Sequence, residues 1–228
     1  MELSLKQTII SIVLKLIVII SAITGTIISA VQSSSAFMGG DTVFMYFTIQ
    51  SNLLIALICL IGLVFILLKK KINNIWHIVK FVSTISITLT GLVFCFVLAP
   101  TMGSEAWGFA NILTHVVVPI VAVLDFFIVG IYADIKKISI LYVTIPPLLY
   151  VIYAGIGYAL DLKFTNTTNY PYFFLNWGSK AKAFGFSSEL PFMGVVWWIL
   201  LLLGLLIGLG FLYLKIIDLL KKRKNKNI

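Results

Sequence analysis

Six long apolar runs leave this chain few ways to fold. Thr8 to Val31, Val43 to Leu68, Ile75 to Ala99, Ala110 to Tyr132, Ile138 to Leu160 and Pro191 to Ile217 are each bounded by charged or turn-forming residues. Each is long enough for an α-helix to cross about 30 Å of hydrocarbon. Lipid tails offer the peptide group no hydrogen-bond partner, so runs of this kind must satisfy their own backbone as helices. The composition agrees, with 61% hydrophobic and 11% charged residues, where a soluble domain is about half apolar and a quarter charged. Six crossings and their connections use up a chain of 228 residues. The expectation is an all-α polytopic membrane protein, a single six-transmembrane-helix bundle over residues 1–228 with no soluble domain.

Charge sets the expected direction. With the N-terminus in the cytoplasm, the inner side holds Lys6, Lys15, Lys69, Lys70, Lys71, Lys80, Lys136, Lys137, Lys215, Lys221, Lys222, Arg223, Lys224 and Lys226, against Lys163, Lys180 and Lys182 outside. Positive residues concentrate on the cytoplasmic side of membrane proteins, so both termini are expected inside. The Lys-, Ile- and Asn-rich composition points to a bacterial cytoplasmic membrane. The net charge of +9 sits beside apolar segments, where anionic headgroups account for it, and no nucleic-acid partner is expected. Lys15 interrupts the first run, but its four methylenes would let the amine snorkel to the inner surface. The run is too long for the core of a signal peptide, so the stretch "SSSAF" after it is not read as a cleavage site.

The polar residues inside the runs carry the functional signal. On the second span Thr48, Ser51 and Asn52 follow the i, i+3, i+4 spacing of one helix face, with Gln50 pointing away. On the fourth, Asn111, His115, Val118, Ala122 and Asp125 form a second stripe. Both spans run inward from the outer surface. Thr48 lies five residues past Val43 and His115 five past Ala110, which puts each about 7 to 8 Å below the outer end of its helix. If the two faces meet, a hydroxyl, an imidazole and carboxamides converge within reach of water, enough for nucleophilic chemistry on a lipid. The rival reading is structural, since Thr and Ser in membrane helices bond the carbonyl one turn back and Asn or His often joins neighbouring helices.

Asp125 is ten residues past His115, about 15 Å deeper, too far to complete a triad. Lys80, with Lys15 beside it, reaches a similar depth, and an ion pair across helices is the economical account of that carboxylate. The two histidines, His77 and His115, fall near opposite surfaces, and neither they nor Cys59 and Cys95 form a cluster at ligand spacing. No metal or other cofactor is expected. Pro146 and Pro147 should bend the fifth span, and Ser83, Thr84, Ser86, Thr88 and Thr90 on the third read as packing residues.

"YFTIQSNLL", "NILTHVVVPIVAVLDFF" and "YPYFFLNW" together resemble the androgen-induced-protein family of six-span membrane proteins, through its bacterial relatives. Animal members hydrolyse fatty-acid esters of hydroxy fatty acids with a membrane threonine and histidine. Carried onto this chain, the threonine falls on Thr48 and the histidine on His115. The resemblance implies an intramembrane ester hydrolase with Thr48 as nucleophile and His115 as its base. Ser51 and Asn52 are then the nearest candidate donors for the oxyanion, worth about 3 kcal/mol per well-placed donor, and Asn111 would orient the imidazole. The long loop between the last two spans, with Tyr170, Tyr172, Phe173 and Trp177, reads as a lid over the pocket or as an interfacial aromatic belt, and the resemblance favours the lid. The expected partner is a membrane lipid or lipid-like ester, and no protein partner is implied. Two other classes compete: a small-molecule or lipid transporter, and a membrane interaction subunit without a site.

Overall fold

The computed structural model describes residues 3–31, 40–70, 72–130 and 134–226. Among these residues the secondary structure is helical, apart from one isolated bridge between Phe186 and Met193. Six helices are long and apolar enough to cross a membrane: α1 (Leu5–Val31), α2 (Phe47–Leu67), α3 (Asn74–Trp107), α4 (Phe109–Val129), α5 (Lys137–Ala159) and α6 (Val195–Lys224). The expected end of the fourth span at Tyr132 lies outside the described residues, as do Lys71 and the stretch "SSSAF".

Local chemistry explains where the ends depart from the apolar runs. α1 begins before Thr8 because Ser4 and Gln7 cap it reciprocally: the Gln7 amide donates to Ser4 Oγ at 3.2 Å and the Ser4 amide to Gln7 Oε1 at 3.1 Å. α3 begins at Asn74 because Asn73 Oδ1 accepts from the Trp76 amide at 2.9 Å. It also runs past Ala99, where Pro100 would be expected to stop it. A π-turn over Phe94–Leu98 takes up the proline, with the Ala99 amide bonded five residues back to Phe94 O, and the chain turns only at Gly103, whose φ is +65°. α6 starts at Val195, because residues 191–194 belong to the preceding loop, and continues through the basic tail, whose cations suit a helix C-terminus. In α5, Pro146 and Pro147 occupy the first turn of the α-helical half, after a 3-10 stretch over Lys137–Thr144. A proline costs little in a first turn, where its missing N–H has no helical partner.

The outer surface of the bundle is apolar, as lipid demands, and small hydroxyl residues share the interior with an apolar core. Ile20, Ile27, Leu57, Ile120 and Ile152 are exposed, while Ser11, Ser21, Ser29, Ser83, Thr84, Ser86 and Thr90 are buried between helices. The α3 hydroxyls bond one turn back, as Thr84 does to Lys80 O at 2.7 Å. α1 packs against α2 and α4, and α3 closes the other side of that pair. Val18, Ile55, Ile58, Ile87, Val118 and Ala122 fill the seam. α6 lies along α3 and the 3-10 half of α5, where Phe81, Phe126, Leu206 and Tyr213 pack together.

Lys15 does not snorkel. Its ammonium is buried at 2% exposure and donates to both oxygens of Asp125, at 2.7 and 2.9 Å, and to Ser11 Oγ at 2.6 Å. Lys80 donates to Asp125 Oδ2 from the opposite side, and the Ser11 hydroxyl to Oδ1 at 2.6 Å. One carboxylate thus ties α1, α3 and α4 together. Gly62 gives the Lys15 side chain its path, since a Cβ there would fall 2.9 Å from Lys15 Cε.

Candidate functional site

Thr48 sits in the first turn of α2 and His115 near the start of α4, and the two side chains meet between the helices. Thr48 Oγ1 lies 3.2 Å from His115 Nε2, and both residues are buried. The partners of the other ring nitrogen assign the tautomer. Nδ1 lies 3.1 Å from the Asn111 carbonyl oxygen, which can only accept, and 3.0 Å from Thr114 Oγ1, whose own proton goes to Ala110 O at 2.9 Å. The ring proton is therefore on Nδ1, and the Nε2 lone pair faces the Thr48 hydroxyl.

The backbone around His115 is unusual for a local reason. Pro119 has no N–H to give to His115 O and its ring would press on that carbonyl, so the preceding turn widens into a π-turn over Leu113–Val117, closed by the Val118 amide on Leu113 O. α3 carries its own π-turn at Phe94–Leu98 ahead of Pro100. The two widened turns face each other through a stack of Phe94 on the His115 ring, with centroids 3.8 Å apart and planes at 20°. Phe94 covers one face of the imidazole and fixes its plane.

Gly91 lets the helices come this close. A Cβ on it would lie 2.9 Å from the His115 carbonyl oxygen and 3.1 Å from the Pro119 ring. The neighbour is backbone, so it cannot swing away. Gly91→Ala is expected to push the His115 turn off Thr48 and to cost about 1–3 kcal/mol, read as a lowered midpoint of thermal unfolding in detergent. Gly155→Ala, where nothing stands within 4 Å, is the matched control.

Ser51 and Asn52, the expected oxyanion donors, lie beside the pair with their hydrogen bonds directed to carbonyls and to Thr90. Asn52 Nδ2 spends both protons on carbonyls, Thr48 O at 2.8 Å and Thr114 O at 3.0 Å. The reversed amide would set its oxygen against those same two oxygens. Ser51 Oγ donates to Thr48 O at 3.0 Å or shares a proton with Thr90 Oγ1 at 2.8 Å. The two residues brace α2 against α4 and α3. Asn111 orients the imidazole through its main-chain carbonyl, while its side chain donates to Ala106 O at 3.0 Å. Gln50 points away from the pair, to Phe44 O.

Thr48 is one of the few polar residues lining an apolar cleft between α2, α3, α5, α6 and the long loop. Its walls come from Phe47 on α2, Leu89 and Val93 on α3, Val151 on α5, and Leu202 and Leu206 on α6. The space not filled by atoms, including the part open to the surroundings, is about 650 Å³. The long loop contributes Tyr172, Phe174 and Leu175 to this wall. Phe173 packs on Trp198 instead, at 5.9 Å, and neither Tyr170 nor Trp177 lines the cleft. The 3-10 turn over Phe173–Leu175 causes this, because it sends Phe174 and Leu175 inward. Of the four loop aromatics expected to form a lid, Tyr172 alone reaches the site, with its hydroxyl 3.4 Å from Thr48 Oγ1 and accepting from the Thr48 amide at 3.3 Å. Asp125 and its lysines form a separate cluster, bonded to one another and to Ser11 rather than to the pair.

No family model, curated protein or solved structure matches the chain.

Proposed function

We propose that the protein is an intramembrane hydrolase of acyl esters, with Thr48 as nucleophile and His115 as general base. The observation that carries this reading is the buried Thr48 Oγ1 to His115 Nε2 contact of 3.2 Å, made by a ring whose other nitrogen is tied to a carbonyl. Such a ring presents a lone pair to the hydroxyl and is held in line to receive its proton. The apolar cleft that Thr48 lines supports an acyl chain as the part of the substrate it holds. The likeness of "YFTIQSNLL" and "NILTHVVVPIVAVLDFF" to the androgen-induced-protein family points the same way.

Nε2 takes the Thr48 proton as Oγ1 bonds to the ester carbon, and the carbonyl π pair moves onto its oxygen. Collapse of that tetrahedral species breaks the bond to the alcohol, which leaves with the proton from Nε2. The acyl group now sits on Thr48. Water gives a proton to Nε2 and attacks the same carbonyl; Thr48 Oγ1 departs and takes that proton back, and a fatty acid is released. Threonine's branched Cβ restricts its rotamers and favours a fixed line of attack. The lysine distribution supports a cytoplasmic location for both termini in a bacterial membrane, which places the pair toward the outer leaflet.

Labelling tests the reading. An alkyl fluorophosphonate applied to the purified protein in detergent is expected to leave one adduct, found by mass spectrometry on the peptide carrying Thr48 and missing from His115→Ala. Absence of an adduct under conditions that label another membrane hydrolase would count against the assignment.

A further inference from the structure

An acyl transfer at Thr48 needs a donor for the negative oxygen of the tetrahedral intermediate, and the polar neighbours that share its helix face cannot supply one. The protons of Asn52 and Ser51 are engaged as described, Thr90 bonds within α3 and to Ser51, and the Tyr150 hydroxyl donates to Met45 O at 3.1 Å; the Tyr172 hydroxyl has partners as well, in the Thr48 and Tyr150 side chains, but it lies against the nucleophile itself, 3.4 Å from Thr48 Oγ1. Nε2 of His115 is an acceptor in the resting enzyme. Resting on the hydrolase reading above, we infer that Tyr172, supplied by the loop rather than by a membrane helix, is the oxyanion donor of this site.

Geometry carries the assignment. The oxyanion is bonded to the same carbon as Thr48 Oγ1, so a hydroxyl 3.4 Å from that Oγ1 stands next to the position it takes, where oxyanion donors act over roughly 2.7 to 3.1 Å. Tyr172 and Thr48 both line the apolar cleft, so the substrate carbonyl enters between them. The Thr48 amide is one of the first-turn N–H groups of α2 that have no carbonyl within the helix. It donates to the Tyr172 oxygen at 3.3 Å, drawing electron density from the phenol and strengthening its O–H as a donor.

The ring is held for this task. It stacks on Phe174 with centroids 5.1 Å apart and planes at 7°, and meets Tyr46 edge-on at 5.7 Å. Burial pushes the Tyr172 phenol above its ordinary range, so at neutral pH it keeps the proton that a donor needs. In the first step, the carbonyl oxygen gains the π pair as Oγ1 bonds to carbon and the Tyr172 O–H turns onto it. On collapse the pair returns to the carbon–oxygen bond, and the phenol neither gains nor loses a proton.

The test uses the full chain in detergent with the p-nitrophenyl ester of a medium-chain fatty acid, rates being taken per folded molecule. Tyr172→Phe keeps the ring and removes only the hydroxyl; it is expected to lower kcat roughly 100- to 1,000-fold while KM stays within about threefold. Tyr46→Phe is the structural control, since the Tyr46 hydroxyl ties α2 to the same loop through Phe164 O at 3.0 Å. It should lower the unfolding midpoint and leave kcat within about threefold of the parent. A Tyr172→Phe enzyme with parental kcat, or one whose loss is confined to KM, overturns the inference and leaves the hydrolase reading standing. Equal losses of kcat in both variants also overturn it, because loop docking would then be the cause. No turnover by the parent protein, with no adduct at Thr48, overturns both.

Discussion

Thr48→Ala is expected to abolish ester turnover, with a fall in kcat of at least about four orders of magnitude, and His115→Ala is expected to fall nearly as far. Removing Oγ1 deletes the atom that forms the covalent bond, and removing the imidazole leaves a hydroxyl with no base. The double variant should be no worse than Thr48→Ala alone, because residues that act as one unit do not add. Thr48 is small, and α2 is also braced to α4 through Asn52, whose amide reaches Thr114 O at 3.0 Å; alanine at position 48 leaves that bond in place. The unfolding midpoint of Thr48→Ala should therefore stay close to that of the parent. A variant that is folded and inert is the signature of a nucleophile. A carrier would retain part of its flux without this hydroxyl, so turnover and transport assays on one protein decide between the two classes.

The meeting of Thr48 and His115 follows from two simple periodicities. Each residue stands five positions into an apolar run, and each shares a helix face with other polar residues. Depth and direction together leave them little choice but to be neighbours if α2 and α4 pack close together. What one-dimensional spacing does not carry is the direction of a hydrogen bond. Asn52 and Ser51 lie on the right face, yet the first-turn carbonyl of Thr48 and the Thr114 carbonyl take the protons that a substrate would need. Tyr172 was legible only as one aromatic among several, since a long loop has no period to fix which ring turns inward. The widened turns had a visible signal in Pro100 and Pro119, each one residue beyond the residue that closes its π-turn. That signal explains how Phe94 comes to lie on the imidazole, a contact that apolar patterning alone does not distinguish from ordinary core packing. Lys15 shows the opposite limit. A long amine near a membrane surface can snorkel or pair, and the choice depends on whether a carboxylate stands at its level.

That carboxylate makes Asp125→Ala the second variant of large effect, on stability rather than on chemistry. Asp125 is fully buried and accepts from Lys15, Lys80 and Ser11, while Lys15 and Lys80 are themselves 2% and 3% exposed. Deleting it strands two ammonium groups between α1, α3 and α4, with no other acid among the described residues bonded to either. Breaking a buried pair by removing one partner costs about 3–5 kcal/mol, more than the pair contributes over an apolar replacement. Asp125→Ala should therefore lower the unfolding midpoint steeply and reduce the yield of folded protein. Apolar replacement of all three residues, Asp125→Leu with Lys15→Met and Lys80→Met, should recover most of the loss, because no charge is then left without a partner. The triple variant should also keep ester turnover near that of the parent, since the ion cluster makes no bond to Thr48 or His115. If the triple variant folds but its turnover is lost along with the charges, Asp125 acts on the reaction as well as on the bundle. Recovery of both folding and turnover would confine the cluster to holding α4 at the height where His115 meets Thr48.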